Sequence, residues 1–455
     1  MKTNHFIFLF LLLVIGSRIN SQTYAVGHQQ ITYNDPARAG RAIQTEIYYP
    51  AATAGTGVPV SAGTFPLIVF GHGFVMTWDA YQNVWDDLVP RGYIIAFPRT
   101  EGNFSPNHGE FGKDLAFLVG KMQNESATNS ASLFFNHINS KSAIMGHSMG
   151  GGSSFLAAEN NTLITTMISF AAANTTPSSI TAAQNISVPS LVFAGANDCV
   201  APPAAHQIPM YDSLVSACKA YVSITGGAHC EFANYNFNCS FGQSTCTPTP
   251  AITGAEQKDA MSDLLNLWLS YYLKEDCAAW TSFNDSLAVS PRITSSASCN
   301  ISNPVITQAG MVLSSTAAPT YQWYLNGSLI SGATAQNLTV IGPGVYHVET
   351  TWYNDCPYLS NMITVTSTGT EEAKLYSLKL YPNPVKDQLS LEWNSSFERV
   401  TIRLTDLSGR VVKVVKEMQG NGVQVIDLSE LEAGIYFVEL SAENFKSTER
   451  IIKLK

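Results

Sequence analysis

Three residue types that together perform nucleophilic catalysis occur in one order between residues 148 and 229. Ser148 lies in a Gly-x-Ser-x-Gly pentapeptide, Asp198 follows it, and His229 comes last. A serine hydroxyl becomes a strong nucleophile when a histidine accepts its proton and a carboxylate orients that histidine. These residue types in this order therefore indicate acyl transfer through a covalent intermediate on serine.

The surroundings of the pentapeptide carry more weight than the pentapeptide itself. The apolar run Ser142–Met145 precedes it, and the segment Gly150–Leu156 can begin a helix. A sharp turn from strand to helix exposes the serine oxygen, and flanking glycines let neighbouring backbone approach closely. We therefore predict that Ser148 is the nucleophile at such a turn in an α/β-hydrolase fold.

Three histidines follow Ser148 and could act as its base. His347 lies in a β-rich region near the C-terminus, and His206 begins a helical pattern where a capping or solvated role is expected. His229 lies in a glycine-rich loop directly after the predicted strand Tyr221–Ile224. Because catalytic residues are concentrated on loops at strand ends, we predict that His229 is the base.

The acid that orients the base should also follow a strand. Asp198 comes after the apolar run Ser190–Phe193, whereas Asp212, Asp259 and Asp263 lie in helical patterns and are expected to be surface charges. The chain order Ser, Asp, His is the order of the α/β-hydrolase triad. We therefore predict that Asp198 is the acid.

The developing oxyanion needs N–H donors. A Gly-His-Gly-Phe segment that ends at Phe74 follows an apolar strand, and Met149 follows the nucleophile. The backbone N–H groups of Phe74 and Met149 are the predicted donors, in keeping with the usual loop-plus-neighbour arrangement of this fold. His72 and His147 are expected to be structural.

The elements that must position these residues are short apolar runs that alternate with helical patterns. The runs lie at residues 47–49, 67–70, 93–97, 142–145, 166–170, 190–193 and 221–224. The helical patterns lie at residues 79–89, 111–122, 153–159, 206–216 and 255–273. Short runs without alternation suit strands covered on both faces, so the predicted fold class is α/β with a mainly parallel sheet.

Size and charge limit the classes of function. The chain has 455 residues and a formal net charge of −9, which predicts two or three domains and argues against a nucleic-acid partner. Lys2 precedes an apolar run from Phe6 to Ile15, and small and polar residues follow, up to Ser21. This pattern predicts a signal peptide over residues 1–21, and the run is too short for a transmembrane segment.

Export makes the eight cysteines candidates for disulfide bonds. Cys199 follows the predicted acid and Cys230 follows the predicted base, so contact between Asp198 and His229 would bring the two cysteines within bonding reach. We therefore predict a Cys199–Cys230 bond. Zinc-ligand spacings are missing from the sequence, and no metal or cofactor is expected.

The region after Cys299 changes to a Ser/Thr-rich β pattern. It includes the aromatic-rich segment Tyr321–Tyr324, an Asn-Gly turn signal and the segment Gly344–Val348. Residues 300–367 are predicted to form a β-sandwich, which resembles the immunoglobulin-like modules of bacterial secreted enzymes. Cys356 lies in an Asn-Asp-Cys turn and is a candidate for an unpaired cysteine.

A hydrophilic linker, Ser367–Lys374, precedes the last segment. The Tyr-Pro-Asn-Pro sequence at 381–384, a Gly-Ile-Tyr strand from Gly434 and a basic end resemble the C-terminal sorting domain of the type IX secretion system of Bacteroidetes. The resemblance covers about the last 80 residues, so residues 368–455 form a second predicted all-β module. It implies a secretion-machinery partner and export across the outer membrane of a Gram-negative bacterium.

The N-terminal region resembles bacterial cutinases, polyester (poly(ethylene terephthalate)) hydrolases and the chlorophyllase-like group. The matching blocks, which come in the same order, are Leu67–Phe74, Gly146–Gly152, Val188–Pro202 and Gly227–His229. The resemblance implies a catalytic domain over residues 22–299 and the three triad roles inferred above. It also implies that the Phe74 side chain lines the ester site.

One departure from that family concerns the substrate. Polyester hydrolases usually carry a tryptophan just after the strand that follows the nucleophile helix, but here the sequence from Phe170 reads Phe-Ala-Ala-Ala-Asn. Trp78, Phe232, Tyr235 and Phe237 are candidate aromatic replacements, and a packing role is equally open for each of them.

The sequence as a whole predicts a secreted serine hydrolase of carboxylic esters, with cutinase-like polyester hydrolysis as one candidate activity. A lipase, thioesterase or peptidase of the same fold is the close alternative, because one triad supports many acyl transfers. A non-catalytic surface or glycan-binding protein is the alternative of another class.

Overall fold

The computed structural model describes residues 23–299, 301–366, 378–442 and 445–455. The predicted signal peptide and the predicted linker at 367–374 lie outside the described residues. Contacts divide the chain into two compact units, the first ending at residue 300 and the second beginning at Ile301. The two units are described separately.

The first unit alternates strands with helices. Its strands are β1 (Ala25–Asp35), β2 (Arg41–Ala51), β3 (Gly55–Thr56), β4 (Phe65–Gly71), β5 (Ile94–Pro98), β6 (Ile138–His147), β7 (Thr166–Phe170), β8 (Ser190–Gly195), β9 (Cys218–Ile224) and β10 (Ile293–Cys299). Its α-helices are α1 (Gln82–Leu88), α2 (His108–Thr128), α3 (Met149–Ala158), α4 (Ser179–Ala183), α5 (Gln207–Ser213), α6 (Phe237–Gln243), α7 (Gly254–Lys274) and α8 (Cys277–Val289). Short 3₁₀ turns lie at Pro36–Arg38, Trp78–Tyr81, Val89–Arg91 and Cys230–Phe232.

The ten strands of the first unit form one sheet in the order β10-β9-β8-β7-β6-β4-β5-β2-β1-β3. The strands from β9 to β5 are parallel to their neighbours. Antiparallel pairs flank them, with β10 on β9 at one side and β2 on β5 at the other. The predicted α/β-hydrolase class with a mainly parallel sheet is confirmed.

Strands β1 and β10 were not predicted from the sequence, because neither carries a continuous apolar run. Strand β1 is rich in polar residues, and most of β10 is exposed and contains four Ser and Thr residues in seven. Both are secured by pairing with an inner strand, β1 along eleven positions of β2 and β10 along seven of β9. Their conformation therefore depends on tertiary contacts more than on local pattern.

The core of the first unit joins helices to the parallel strands. Leu67 on β4 and Ile144 on β6 are fully buried in one cluster with Leu115 of α2 and Phe155 of α3. Since strands β4 to β9 run in the same direction, their carboxyl ends meet at one edge of the sheet, where ligands bind in open α/β folds. The loops that carry the predicted site residues all begin at this edge.

The second unit consists of strands. They are β11 (Ile306–Ala309), β12 (Val312–Ser315), β13 (Gln322–Leu325), β14 (Ser328–Leu329), β15 (Asn337–Thr339), β16 (Gly344–Thr350), β17 (Tyr358–Leu359), β18 (Ile363–Val365), β19 (Leu378–Tyr381), β20 (Gln388–Asp406), β21 (Val411–Asp427), β22 (Gly434–Ala442) and β23 (Phe445–Lys453). Strands β11 to β18 form two antiparallel sheets, and β19 to β23 form a third.

The first two of these sheets share a core. Leu313 of β12, from one sheet, lies in the same buried cluster as Trp323 of β13 and Val348 of β16, from the other. Asn326 and Gly327 connect β13 to β14 with φ angles of 51° and 77°, the backbone that an Asn-Gly hairpin turn requires. Two facing sheets with a common core form the predicted β-sandwich.

The third sheet has its own buried cluster, which includes Leu391, Ile402, Val438 and Ile451. Its long strands β20 and β21 pair along most of their length. This arrangement agrees with the predicted all-β character of the C-terminal segment. Among the residues that the structure describes, no helix combines the length and apolar character needed to cross a membrane.

Candidate active site

Ser148 lies at the turn between β6 and α3. Its φ of 55° and ψ of −118° are unusual for a residue with a side chain, and such strain is typical of a nucleophile held in a sharp turn. The turn is fixed by a hydrogen bond from the Ser148 N–H to the Phe170 carbonyl at 2.9 Å. A Cβ atom on Gly146 would clash with the Gly150 backbone, and one on Gly150 would clash with the Gly71 carbonyl, so no larger residue fits at either position.

Three side chains from separate loops form one hydrogen-bonded chain. The Ser148 Oγ lies 2.8 Å from Nε2 of His229, and Nδ1 of His229 lies 2.7 Å from Oδ2 of Asp198. A carboxylate accepts from Nδ1–H, which leaves Nε2 free to accept the serine proton. All three residues are buried, with Ser148 the most exposed at 9%.

Backbone N–H groups hold the carboxylate of Asp198. Its second oxygen, Oδ1, accepts from the N–H groups of Val200 and Ala201 at 2.9 and 2.8 Å. The loop that carries Asp198 is also joined to the histidine loop, because Asn197 N–H donates to the Gly227 carbonyl at 2.7 Å. The acid is therefore fixed in an orientation that leaves Oδ2 for His229.

A buried glutamine holds the loop of the base and was missed by the sequence analysis. The side chain of Gln257 on α7 accepts from Ala228 N–H and donates to the Ala228 carbonyl, both at 2.8 Å. Ala228 directly precedes His229, so this double contact fixes the backbone at the catalytic histidine. A glutamine on the core-facing side of an otherwise apolar helical pattern was the signal that could have revealed it.

Of the predicted oxyanion donors, Met149 follows the serine directly in sequence and Phe74 lines the cavity that contains it. Met149 is the first residue of α3, and an N–H in the first turn of a helix has no acceptor within that helix. Phe74, Ser148 and His229 all line one cavity of about 310 Å³. Phe74 and the serine thus share one cavity, while the Met149 N–H lies at the start of the helix that follows the serine.

Three further histidines have structural contacts. His72 is buried with its ring nitrogens 2.9 Å from the carbonyl oxygens of Gly73 and Thr100, and burial lowers its pKa. His206 accepts from Asn174 N–H at 2.9 Å, and burial lowers its pKa as well. His147 contacts the Tyr81 hydroxyl at 3.0 Å and the backbone carbonyl of the base, His229, at 2.9 Å.

The aromatic lining of the cavity differs from the prediction. Phe232 is 1% exposed and packs against Phe170, and Trp78 lines a separate cavity where Arg99 stacks on its ring. Phe232 and Trp78, which were predicted as substrate contacts, therefore do not line the cavity of the serine. Phe232 follows Cys230 in a 3₁₀ turn that points inward, and the side chain of Trp78 is held away by its ring contacts.

Two aromatic residues that the sequence analysis did not select line the cavity with Phe74. Phe104 comes from the loop after β5 and is 83% exposed, and Phe241 comes from α6 and is 73% exposed. Tyr235 and Phe237 are exposed but do not line this cavity. The position of Phe104 after a parallel strand is the signal that could have indicated it.

The predicted Cys199–Cys230 bond is wrong. Cys199 is bonded to Cys246, and Cys230 is bonded to Cys239, while Cys218 is bonded to Cys299. Contact between Asp198 and His229 fixes those two side chains, but it does not fix the direction of the residue that follows each one. Each cysteine instead binds the segment that carries α6.

The expectation that Cys356 is unpaired is also wrong, since Cys356 is disulfide-bonded.

The structure also bears on metal sites. Within the described ranges, His, Cys, Asp and Glu side chains do not gather in groups of three or more that could hold a metal ion.

The fold and the serine cluster define an α/β-hydrolase domain. Residues 20–245 match the PET hydrolase-like family, and residues 379–454 match the secretion system C-terminal sorting domain. The chain therefore contains a domain of the PET hydrolase-like family and, at its end, a type IX sorting domain.

Curated relatives match part of the chain. The chain is 27% identical to bis(hydroxyethyl) terephthalate hydrolase of Streptomyces coelicolor over 40% of this chain and 54% of the relative. It is 33% identical to cutinase est1 of Thermobifida alba over 40% of this chain and 56% of that relative. It is 29% identical to chlorophyllase-1 of Arabidopsis thaliana over 22% of this chain and 31% of that relative. The chain spans about half the length of the first two relatives.

The sorting domain identifies the destination of the protein. Domains of this family direct export across the outer membrane, to the cell surface or to the medium, and the match covers residues 379–454. The predicted localisation is therefore confirmed.

Proposed function

We propose that the protein is a secreted serine hydrolase of carboxylic esters that acts through an acyl-serine intermediate. The observation that carries this proposal is the hydrogen-bonded chain from Ser148 through His229 to Asp198. The order of these groups and their spacing of less than 3 Å suit a nucleophile, a general base and the acid that orients it.

In the first half of the reaction, Ser148 Oγ attacks the ester carbonyl while its proton moves to Nε2 of His229. Asp198 stabilises the resulting imidazolium through the bond to Nδ1. The N–H groups of Phe74 and Met149 stabilise the negative charge on the carbonyl oxygen. His229 then donates the proton to the leaving alcohol, and the acyl group remains on Ser148.

In the second half, water takes the place of the alcohol. His229 removes a proton from the water as its oxygen attacks the acyl-serine carbonyl, and the same two N–H groups stabilise the second oxyanion. The proton then returns to Ser148 Oγ as the acid product leaves. No cofactor takes part in these steps.

We propose esters of modest size as substrates, including accessible esters of a polyester chain. The relatives named as a terephthalate-ester hydrolase and as a cutinase support this choice. Exposed Phe104 and Phe241 at the cavity suit an apolar substrate that extends beyond the pocket.

We also propose three modules after the signal peptide: the catalytic domain at 22–299, the immunoglobulin-like module at 300–367 and the sorting domain at 368–455. The sheets support these boundaries, because each sheet lies within one range. The proposed partner of the last module is the type IX secretion machinery.

A substrate panel tests the proposed activity. It consists of p-nitrophenyl esters of increasing acyl length, bis(hydroxyethyl) terephthalate, a polyester film, a thioester and a set of peptide anilides. We expect hydrolysis of the esters, with peptides untouched. Cleavage of peptides or thioesters without ester hydrolysis would favour the close alternatives, and inactivity on every substrate would favour a surface-binding protein.

A further inference from the structure

Two buried side chains outside the triad connect three parts of the site. Tyr81 lies in the 3₁₀ turn Trp78–Tyr81, and His147 is the last residue of β6; both are fully buried. The Tyr81 oxygen lies 2.8 Å from the Gly73 nitrogen and 3.0 Å from Nδ1 of His147. Nε2 of His147 lies 2.9 Å from the backbone carbonyl oxygen of His229.

The position of each proton in this chain follows from what each group can donate. A carbonyl oxygen can only accept, so Nε2 of His147 carries the hydrogen and donates to His229. Burial lowers the pKa of His147 to about 3, with a smaller effect of nearby His229, so the ring is neutral and Nδ1 is an acceptor. The Tyr81 hydroxyl therefore donates to Nδ1, and its oxygen accepts from Gly73 N–H.

This assignment satisfies every polar group in the chain. The sulfur of Met76 lies 3.3 Å from the Tyr81 oxygen, but a thioether is a weaker acceptor than an imidazole nitrogen. A Cβ atom on Gly73 would lie 3.2 Å from the Tyr81 oxygen, 3.3 Å from Nδ1 of His147 and 2.7 Å from the Met76 sulfur. The space is therefore filled and leaves little freedom for the groups to shift.

The hydrogen bonds through Tyr81 and His147 connect the parts of the site that must be aligned with one another. Gly73 precedes Phe74, the proposed oxyanion donor; His147 precedes the nucleophile; and the last acceptor belongs to the base itself. Gly73 and His229 lie in the loops after β4 and β9, and His147 is the last residue of β6, so the three come from separate parts of the sequence. Oxyanion donors are effective when they are fixed before the charge develops, and small displacements reduce the rate.

We propose that Tyr81 and His147 are positioning residues for the reaction: their hydrogen-bonded chain holds the oxyanion loop at a fixed distance from the catalytic histidine. This role rests on the proposed function of Ser148 and His229. Neither residue is among those that line the cavity of the serine, although the His147 ring packs against the His229 ring with centroids 4.9 Å apart. Tyr81 acts through Gly73 and Phe74, and His147 acts through the backbone of His229.

Other hydrogen bonds join the segment around Tyr81 to the segment that follows His229. They allow the effect of the Tyr81 hydroxyl to be measured by itself. Asn83 Nδ2 donates to the Phe232 carbonyl at 3.1 Å, and Asn234 N–H donates to the Ala80 carbonyl at 2.7 Å. These contacts do not involve Gly73 or His147. They are expected to keep the segments folded when Tyr81 loses only its hydroxyl.

The first test compares Tyr81→Phe with wild type in the full chain. We expect kcat for a p-nitrophenyl ester to fall about tenfold with KM little changed, because the oxyanion donor is displaced while the cavity remains. Covalent labelling of Ser148 by a serine-directed phosphonate should slow by the same factor. The matched control is Tyr49→Phe, which removes a buried hydroxyl that donates to the Val58 carbonyl at 2.8 Å, away from the site; its kcat should equal that of wild type.

The second test concerns His147. Glutamine offers one donor and one acceptor, so His147→Gln should retain several times more activity than His147→Leu, which offers neither. Because both residues serve one chain, Tyr81→Phe combined with His147→Leu should be no slower than His147→Leu alone. Losses that multiply, or equal activity of the Gln and Leu variants, would overturn the positioning role.

The outcomes separate this role from the proposed function. Wild-type kcat and labelling rate in Tyr81→Phe would overturn the positioning role and leave the esterase proposal intact. Equal losses in Tyr81→Phe and Tyr49→Phe would show a general effect of losing a buried hydroxyl and would overturn it too. Wild-type protein that is not labelled at Ser148 would overturn the proposed function itself.

Discussion

The two sides of the site are held by different kinds of bond. On the side of the acid and base, Cys199 follows Asp198 and Cys230 follows His229, and both are covalently bonded to the segment around α6. On the side of the oxyanion loop, hydrogen bonds through Tyr81 and His147 lead to the base, and Asn238 of α6 donates to the Val75 carbonyl at 2.8 Å. Covalent bonds therefore secure one side, and a buried polar chain secures the other.

Because the two sides are held by different bonds, loss of a bond should affect stability on one side and the reaction rate on the other. A disulfide stabilises mainly by restricting the unfolded chain, so its loss lowers stability first. A buried hydrogen-bonded chain sets the relative position of groups in the folded state, so its loss affects the rate first. Variants on the two sides should therefore differ in whether stability or kcat responds more strongly.

In the comparison of the two sides, the largest expected effect comes from the carboxylate of Asp198, on the side that the disulfide bonds secure. Asp198→Asn removes the acceptor for Nδ1–H and should lower kcat by about 10³ to 10⁴-fold, since the imidazole loses its orientation and its stabilising charge. The control is Asp212→Asn, a change at an exposed carboxylate on α5. Steady-state ester hydrolysis measures both, and a similar small effect in the two variants would remove Asp198 from the triad.

The next effect concerns the disulfides. Replacing Cys199 and Cys246 by serine opens a loop with a sequence separation of 47, and replacing Cys230 and Cys239 opens one of 9. Chain entropy then predicts losses of about 4 and about 2.5 kcal/mol in the free energy of unfolding.

Equilibrium urea unfolding of the two double variants and the wild type gives these losses. Each variant should lose more stability than Tyr81→Phe does, while Tyr81→Phe should lose more kcat than the shorter-loop variant. The reverse order in both measurements would contradict the contrast between the two sides.

A smaller effect is the pH dependence of stability. The pKa of His147 is about 3 in the folded protein because burial excludes its charge, and it returns to about 6.5 in the unfolded chain. Between these values only the unfolded chain binds the proton, so the free energy of unfolding falls as pH falls, by up to about 1.4 kcal/mol per pH unit. Above pH 6.5 this contribution is fully present and constant.

His147→Gln should reduce that slope, because glutamine does not titrate. Urea unfolding between about pH 4 and 7 measures the difference between the variant and wild type. His72, whose pKa is also lowered by burial, remains in both proteins and supplies a common background. Identical slopes would mean that His147 is not buried in its neutral form.

Much of the framework could be predicted because it depends on local signals. The strands that precede Ser148, Asp198 and His229 each contain a short apolar run, and each residue lies in the turn or loop that follows its strand. Parallel strands bring such ends together whatever the loops between them do. Order along the chain was therefore enough to predict that the three residues converge.

The cysteine pairs and the cavity lining could not be predicted in the same way. Cys199 and Cys230 pair with residues in and just after α6, and the direction of a side chain one position beyond a fixed residue is not set by sequence. Phe232 and Phe241 lie between Cys230 and Cys246 in the sequence, yet one is buried and the other exposed. Loop conformation, which depends on tertiary contacts, determines both the disulfide pairing and the residues that line the cavity.

The polar contacts behind the site were also missed, for a related reason. Tyr81 appears in a helical pattern as an ordinary core residue, and Gln257 as an ordinary helical one. Their roles arise only when α7 and the turn before α1 pack against the loops of the base and the oxyanion donor. A single sequence gives the residue types but not these tertiary contacts.

The central claim is that Ser148 is the nucleophile of an esterase, and one paired measurement tests it directly. The full chain and Ser148→Ala are assayed on a p-nitrophenyl ester and treated with a serine-directed phosphonate, and the adduct is located by peptide mass mapping. The account predicts one adduct on Ser148 in the wild type, none in the variant, and at least about 10⁴-fold lower kcat in the variant. Equal hydrolysis by both proteins, or an adduct on another residue, would contradict it.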